Sequence, residues 1–126
     1  MKTIIAGSRA IDRYELVDVA LSDAMGQGLV ITAVVSGGAR GIDQLGERWA
    51  REHSIPVTRL IPDWGKWGKR AGILRDEQMA SVADALVAIW DGTSRGTDHM
   101  VSEGRRRGLV VHLYLVDELR RVIAAT

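Results

Sequence analysis

Four segments of this sequence combine glycines with cationic or hydroxyl side chains, and each follows an apolar run. Glycines let backbone N–H groups approach a ligand closely, and arginine donates paired hydrogen bonds to phosphate oxygens. A helix that begins just after such a turn adds its positive end. These segments predict a phosphate-binding site, and they are Gly7–Arg9, Ser36–Asp43, Asp63–Arg70 and Asp91–Thr97.

The predicted phosphate contacts come from the first, second and fourth segments. One glycine-rich turn alone is equally consistent with a tight joint between a strand and a helix. Several such turns at one edge of a sheet favour binding instead. The residues predicted to bind the ligand are Gly7, Ser8, Arg9, Ser36, Gly37, Gly38, Ala39, Arg40, Gly41, Asp91, Gly92, Ser94, Arg95, Gly96 and Thr97.

The third segment carries aromatic and cationic side chains. Trp64 and Trp67 flank Gly65 and Lys66, so an indole ring beside an ammonium group is available to stack on a nucleobase. Half-buried anchoring of the loop explains the two tryptophans equally well. The residues that we predict to form a lid or to contact a base are Asp63, Trp64 and Lys69.

A carboxylate, Asp43, follows the second glycine turn directly. It is placed to bind a ribose hydroxyl or to act as a base. It is equally well placed to stabilise the start of a helix, where a negative charge is favourable. Both interpretations of Asp43 stay open.

Several other chemistries lack the residues or spacings that they need. The chain has no cysteine, which excludes disulfides, thiolate metal sites and cysteine nucleophiles. Its three histidines are too scattered to predict a metal site, so we expect no metal and no required cofactor other than a nucleotide ligand. The Walker pattern is absent and Gly37–Gly41 does not match G-x-G-x-x-G, so a hydride-transfer enzyme is not expected.

Apolar runs alternate with segments of helical spacing along the chain. We predict strands at Lys2–Ala6, Val30–Ser36, Pro56–Ile61, Ala85–Trp90 and Leu109–Leu115. Helices are predicted between the strands. Their signals include an Asp12–Glu15 capping box, a loop from Pro62 to Gly68 before a helix at Lys69–Val82, a Thr97 cap, and a final helix at Asp117–Ala124.

This alternation predicts a single α/β domain over residues 1–126. The expected fold is Rossmann-like, with three layers: a mainly parallel five-stranded sheet and helices on both faces. In such a sheet the loops that follow strands meet at one edge, where ligands bind. The glycine-bearing segments are therefore expected to converge.

Composition limits the classes of partner. The net charge of +1 argues against a basic coat, so nucleic acid is an unlikely partner and a small-molecule nucleotide the expected one. No apolar stretch approaches a membrane span, and the apolar run near the N-terminus is too short for a signal peptide, so we expect a cytoplasmic protein without membrane contact. A homo-oligomer is possible.

The glycine segments, read in order, resemble the SLOG superfamily, which includes DNA-processing protein A and the Lonely Guy enzymes. The resemblance is strongest to its YspA/YpsA-related branch, small proteins of bacteria and their phages. It covers nearly the whole chain. Asp76 departs from the branch, which usually carries Asn there. The matching motifs are Gly7–Arg9, Ser36–Asp43, Asp63-Trp64, Ala71–Asp76 and Trp90–Thr97.

The resemblance implies a Rossmann-like fold and a nucleotide or nucleotide-derived ligand. Arg75 matches an arginine of Lonely Guy enzymes, which hydrolyse the N-glycosidic bond of nucleoside monophosphates; the alternative is a surface arginine paired with Glu77 or Glu47. Met100 stands where those enzymes carry a catalytic glutamate, and a thioether is no general acid or base. The nearby Glu103 is expected to face solvent.

Three functions follow from these observations. The first is a sensor or processing protein that binds a nucleoside monophosphate, NAD or an ADP-ribose-type ligand at the C-terminal edge of the sheet. The second is an N-glycosidase or related nucleotide hydrolase, with Arg75 and Asp43 as catalytic residues. The third is a single-stranded DNA binder, suggested by the likeness of Ser36–Asp43 to DNA-processing protein A.

Overall fold

Strands and helices alternate along the chain in the computed structural model, which describes residues 1–125. The strands are β1 (Lys2–Gly7), β2 (Ala33–Ser36), β3 (Val57–Arg59), β4 (Ala85–Trp90), β5 (Val110–Val116) and β6 (Val122–Ala124). The helices are α1 (Tyr14–Gly26), α2 (Ile42–Glu52), α3 (Trp64–Trp67), α4 (Ala71–Val82) and α5 (Arg95–Arg106), with a 3-10 turn at Gly68–Arg70.

The strands form one sheet in the order β3-β2-β1-β4-β5-β6. Strands β1 to β5 are parallel to their neighbours, and β6 pairs antiparallel with β5. Strands β2 and β3 lie in turn on one side of β1, and strands β4, β5 and β6 lie in turn on its other side. The predicted α/β, Rossmann-like architecture with a mainly parallel sheet is confirmed.

The two central strands, β1 and β4, are apolar on both faces because both faces are covered by helices. On one face, Val17 of α1 and Trp49 of α2 belong to the same buried cluster as Ile5. On the other face, Met79 of α4 and Met100 of α5 pack in a cluster with Ile4. The predicted helix layers on both faces are confirmed. No helix within residues 1–125 is both long and apolar enough to cross a membrane.

The end of the chain differs from the prediction of five strands and a final helix. Residues 117–124 instead form a turn and the sixth strand, β6. The Asp117 carboxylate accepts hydrogen bonds from the backbone N–H groups of Leu119 (3.0 Å) and Arg121 (2.8 Å), which closes the turn. Asp117 is therefore a turn-forming residue rather than a helix start, and the β-branched Val122 and Ile123 pair with β5.

Two predicted helix caps are also wrong. The residue before α1 is Arg13, and no side chain caps that helix, so Asp12 and Glu15 do not form a capping box. Thr97 lies inside the first turn of α5, which begins at Arg95 after Ser94. Thr97 is buried instead of capping the helix.

The predicted loop before the fourth helix is partly helical. Asp63 precedes α3, and its carboxylate accepts a hydrogen bond from the Lys66 N–H at 3.0 Å, which is the geometry of an N-terminal cap. The 3-10 turn follows, so α4 begins at Ala71 rather than at Lys69. The result is a compact bend that holds Trp64 over the first turn of α4.

Candidate functional site

The point where the order of the strands reverses lies between β1 and β4, and two loops leave the sheet there. A fully buried serine, Ser8, ties these loops together. Its N–H donates to the Ile89 carbonyl (3.1 Å), and its hydroxyl oxygen accepts from the Asp91 N–H (3.0 Å). Ser8 therefore fixes the distance between the two loops that border the site.

A cleft of about 330 Å³ opens at this edge of the sheet, between the loop after β1 and the first turns of α4 and α5. Its lining combines cations, a tryptophan and one carboxylate–histidine pair. The residues that line it are Arg9, Trp64, Lys69, Gly72, Ile73, Arg75, Asp76, Arg95, Gly96 and His99.

Three cations of the cleft are available to a ligand. Arg9, Lys69 and Arg95 are exposed, and none of them forms an ion pair within the described part of the chain. Cations that share a cleft raise its local potential and attract anions. This arrangement gives the cleft an excess of positive charge although the whole chain is nearly neutral.

The loop before α5 is held by Asp91. Its carboxylate accepts hydrogen bonds from the backbone N–H groups of Thr93 and Ser94, each at 2.9 Å. Burial alone would raise the pKa of Asp91, but these hydrogen bonds outweigh it and lower the pKa below its ordinary value. The Trp90 indole N–H donates to the Ser94 carbonyl at 2.9 Å. Asp91 thus stabilises the loop through hydrogen bonds to the loop's own backbone. Gly96, on the first turn of α5, stays open to the cleft.

A buried glutamate, Glu47, supports the glycine turn after β2. The Ser36 hydroxyl donates to Glu47 at 2.6 Å, and the Arg59 guanidinium forms an ion pair with the same carboxylate. Burial would raise the pKa of Glu47, but the hydrogen bonds from Arg59 and Ser36 lower it. The Ser36 oxygen also accepts from the Gly38 N–H at 3.1 Å. Sequence reasoning assigned Glu47 only as an alternative partner of Arg75, whereas the structure pairs it with Arg59.

Arg75 lies between the glycine turn and the cleft, and only 12% of its side chain is exposed. It donates to the Gly37 carbonyl (3.0 Å) and to the Asp76 carboxylate (3.1 Å). A Cβ atom at Gly37 would overlap the guanidinium group, so this glycine permits the close approach. Arg75 is therefore a partly buried, anchored residue of the cleft and not a surface arginine paired with a glutamate.

Asp43 is buried behind the turn and does not line the cleft. Its carboxylate accepts a hydrogen bond from the Ala39 N–H at 3.3 Å. Burial raises the pKa of Asp43 to about 6, against the opposing effects of the Ala39 hydrogen bond and the Arg75 charge. Catalytic roles for Asp43 and Arg75 stay predictions.

The raised pKa of Asp43 predicts a specific pH dependence of stability. The folded protein holds this proton up to about pH 6, whereas the unfolded chain releases it near pH 3.8. The stabilisation that the protonated carboxyl provides is therefore fully present below pH 3.8, and it is lost as the pH rises to 6. One pKa unit corresponds to about 1.4 kcal/mol, so the loss is about 3 kcal/mol. Asp43→Asn is expected to lack this pH-dependent loss of unfolding free energy. Urea unfolding of both proteins from pH 4 to pH 7.5 checks this, and a constant difference in unfolding free energy would contradict it.

A hydrogen-bonded pair in the cleft, Asp76 and His99, was not predicted from the sequence. The His99 Nδ1 lies 2.8 Å from the Asp76 carboxylate. Burial raises the pKa of Asp76, against the opposing effects of His99 and Arg75. The one signal for this pair was the departure of Asp76 from the Asn that is usual in the resembling branch.

Glu103, the carboxylate three positions after Met100, lies away from the cleft. Glu103 is 6% exposed and pairs with Arg106 (2.6 Å) and Arg107 (2.8 Å), so the prediction that it faces solvent is wrong. It joins the last turn of α5 and does not line the cleft. Met100 is 2% exposed and lies in the core.

The predicted site residues fall into two groups. Those that the structure brings together in the cleft are Arg9, Trp64, Lys69, Arg75, Arg95 and Gly96. Asp63 lies on a neighbouring cavity of about 100 Å³, which Arg75 also borders. Direct ligand contact stays a prediction for those that do not line the cleft, namely Gly7, Ser8, Ser36, Gly37, Gly38, Ala39, Arg40, Gly41, Asp43, Asp63, Asp91, Gly92, Ser94 and Thr97.

Comparisons with known proteins identify the family of this chain. Residues 1–67 match the model of the family described as YAcAr: YspA, cpYpsA-related SLOG family. The Gene 61 protein of Mycobacterium phage D29 is 36% identical over 116 residues, which cover 87% of this chain and 93% of that relative. No solved structure gives a significant match. The chain belongs to the YspA, cpYpsA-related SLOG family.

Proposed function

We propose that this chain binds a phosphorylated nucleotide or nucleotide-derived ligand in the cleft at the C-terminal edge of its sheet. The observation that carries the proposal is the cluster of Arg9, Lys69 and Arg95, which share one cleft and form no ion pair within residues 1–125. Each cation would donate a charge-assisted hydrogen bond to a phosphate oxygen. Membership of the SLOG family points to nucleotide-related ligands in general.

The first turn of α5 is the expected position of the phosphate. Gly96 lies there beside Arg95, and nothing lies within 4 Å of the position that a Cβ atom on Gly96 would take. An anion at this point would meet the open N–H groups of the turn and the positive end of a 12-residue helix. Arg9 would approach the same anion from the loop after β1.

The side of the cleft formed by α3 and the first turn of α4 offers a surface for a nucleobase. Trp64 is 50% exposed and lines the cleft, and its ring lies against the first turn of α4 at Gly72. Stacking of a base on an exposed indole contributes about 1–3 kcal/mol. The volume of about 330 Å³ falls within the range of small-molecule sites. A phosphate at α5 and a base at Trp64 together describe a nucleotide.

Ligand-induced stabilisation tests the proposal. AMP, ADP, NAD and ADP-ribose are compared with adenosine, which has the base and sugar without phosphate. A bound ligand at about 100 times its dissociation constant stabilises the folded state by about 2.7 kcal/mol. We expect at least one phosphorylated ligand to raise the melting temperature and adenosine to raise it little, because the cations of the cleft would lack their partner.

Paired variants make the test specific to the cleft. Arg9→Gln combined with Arg95→Gln is expected to remove the ligand-induced shift. The control combines Arg13→Gln with Arg48→Gln, since these two exposed arginines lie away from the cleft. If no phosphorylated ligand raises the melting temperature, or if the cleft double variant responds as the wild type does, the proposal is wrong.

A further inference from the structure

The carboxylate–histidine pair of Asp76 and His99 joins α4 to α5 at the cleft. Asp76 is 5% exposed, and its two oxygens have separate partners, Arg75 Nε at 3.1 Å and His99 Nδ1 at 2.8 Å. His99 belongs to the lining of the cleft, and 33% of its side chain is exposed. The pair therefore consists of a buried, anchored carboxylate and an imidazole that reaches the cleft.

The carboxylate determines which imidazole nitrogen is free. A carboxylate that accepts from Nδ1–H holds the neutral ring in the tautomer that has a lone pair on Nε2. The His99 Nε2 makes no hydrogen bond to any residue between 1 and 125. This nitrogen is therefore available to take a proton from a molecule in the cleft.

The group nearest to His99 would be the phosphate. His99 and Arg95 are four residues apart on α5, which places their Cβ atoms about 5–6 Å apart on one face of the helix. Both residues line the cleft together with Gly96. A water molecule on the phosphorus of a ligand bound at Arg95 and Gly96 would thus lie within reach of the imidazole.

We propose that His99 is the general base of a hydrolytic reaction in which water attacks a phosphoanhydride phosphorus of the bound nucleotide. Asp76 is the positioning residue for the imidazole. This inference rests on the proposed nucleotide-binding function and extends it from binding to turnover. The substrate class is a nucleoside diphosphate derivative, in which two phosphorus atoms share a bridging oxygen.

The step balances with water as the only co-reactant. The His99 Nε2 takes one proton from water while the water oxygen forms a bond to phosphorus. The bond from phosphorus to the bridging oxygen breaks, and its electron pair leaves with the second phosphate. That phosphate departs as an anion beside Arg9 and Lys69, and Nε2 returns its proton to solvent.

The residues of the cleft favour a phosphoanhydride over other bonds. A phosphate monoester has its second pKa near 6, so it leaves as an anion without needing a proton. An alcohol or a nucleobase departs readily only when an acid protonates it. Apart from Asp76 and His99, the lining of the cleft holds no carboxyl or imidazole group to serve as that acid. Met100, the neighbour of His99, is buried in the core and supplies none.

Full-length protein with ADP-ribose tests the inference. Phosphorus NMR in buffer containing Mg²⁺ follows cleavage to AMP and ribose 5-phosphate, and AMP serves as the substrate without an anhydride. We expect cleavage of ADP-ribose and none of AMP. His99→Gln is expected to lower kcat about 10²–10⁴-fold with the dissociation constant of ADP-ribose nearly unchanged, because a general base acts on the reaction step. His53→Gln is the control, because His53 follows the last residue of α2 and does not line the cleft, and it should keep the wild-type kcat.

The pH profile separates proton transfer from a structural role. The wild-type kcat should depend on pH in a way that His99→Gln loses, and Asp76→Asn should lower kcat. Binding of ADP-ribose without cleavage by the wild type overturns the inference and leaves the proposed function standing. Absence of binding by every phosphorylated ligand overturns both. Cleavage by His99→Gln at the wild-type rate also overturns the inference.

Discussion

Replacing Gly96 by glutamate is expected to abolish nucleotide binding while the protein stays folded. Gly96 lies on the first turn of α5 at the cleft, and a Cβ atom there meets nothing within 4 Å. The new carboxylate would occupy the place proposed for the phosphate. The same carboxylate could pair with Arg95 and Arg9, and the ligand would then have to displace it from these two arginines.

The helix itself should tolerate this change. Glycine in a helix costs about 0.5–1 kcal/mol relative to better helix formers, and a carboxylate in the first turn gains a further 0.3–1 kcal/mol from the helix dipole. The free energy of unfolding without ligand should therefore remain equal or rise. A loss of binding by Gly96→Glu then reports on the site and not on misfolding.

Like charges placed together in an interface cost several kcal/mol, so affinity should fall at least about 100-fold. Titration calorimetry with AMP and ADP-ribose measures this fall, and urea unfolding measures stability. Gly96→Ala is the matched control, since it adds a Cβ atom without charge and should keep affinity within a few fold. Unchanged affinity in Gly96→Glu would remove the phosphate from the first turn of α5.

The parallel part of the fold could be predicted because each central strand is apolar on both faces. Ile4 and Ile5 point to opposite helix layers, so the whole run is buried and its length is visible in the sequence. Residues 117–124 carry no comparable signal. The strand Val122–Ala124 is only three residues long, and it forms because it pairs with β5 and because Asp117 closes the turn between the two strands.

The edge of the sheet at which the candidate cleft lies could be predicted as well, because glycine turns after parallel strands must share an edge. The roles of the individual side chains could not. Ser8, Ser36 and Asp91 are polar residues in these turns, yet each hydrogen-bonds to the protein backbone or to a buried partner. A sequence shows which residues stand in a turn, but the packing around the turn decides which of them face the cleft.

The pair of Asp76 and His99 shows the same limit more sharply. The two residues are 23 positions apart and belong to different helices. Each alone has an ordinary interpretation, a helix carboxylate and a polar residue on a helix surface. Only the side-by-side packing of α4 and α5 makes them a hydrogen-bonded pair in the cleft.

Gly41→Ala is expected to cause a large loss of stability, because backbone strain and steric overlap act together at this position. Gly41 precedes α2 with φ of 75° and ψ of −128°, a conformation that L-residues rarely adopt. A Cβ atom there would also lie 2.6 Å from the backbone carbonyl oxygens of both Ser8 and Arg9. Backbone atoms cannot relieve this overlap by changing rotamer, so the loop after β1 would have to shift.

Strain and overlap together should cost at least about 3 kcal/mol of unfolding free energy. The matched control is Gly28→Ala, because Gly28 has a positive φ of 105° but nothing within 4 Å of its Cβ position. That control carries the conformational cost alone, about 1–2 kcal/mol. Urea unfolding compares the two variants. Equal losses of unfolding free energy in the two variants would mean that close packing of Gly41 against the loop that carries Arg9 does not contribute. A larger loss in Gly41→Ala, accompanied by weaker binding of AMP, would mean that this contact positions Arg9 for the ligand.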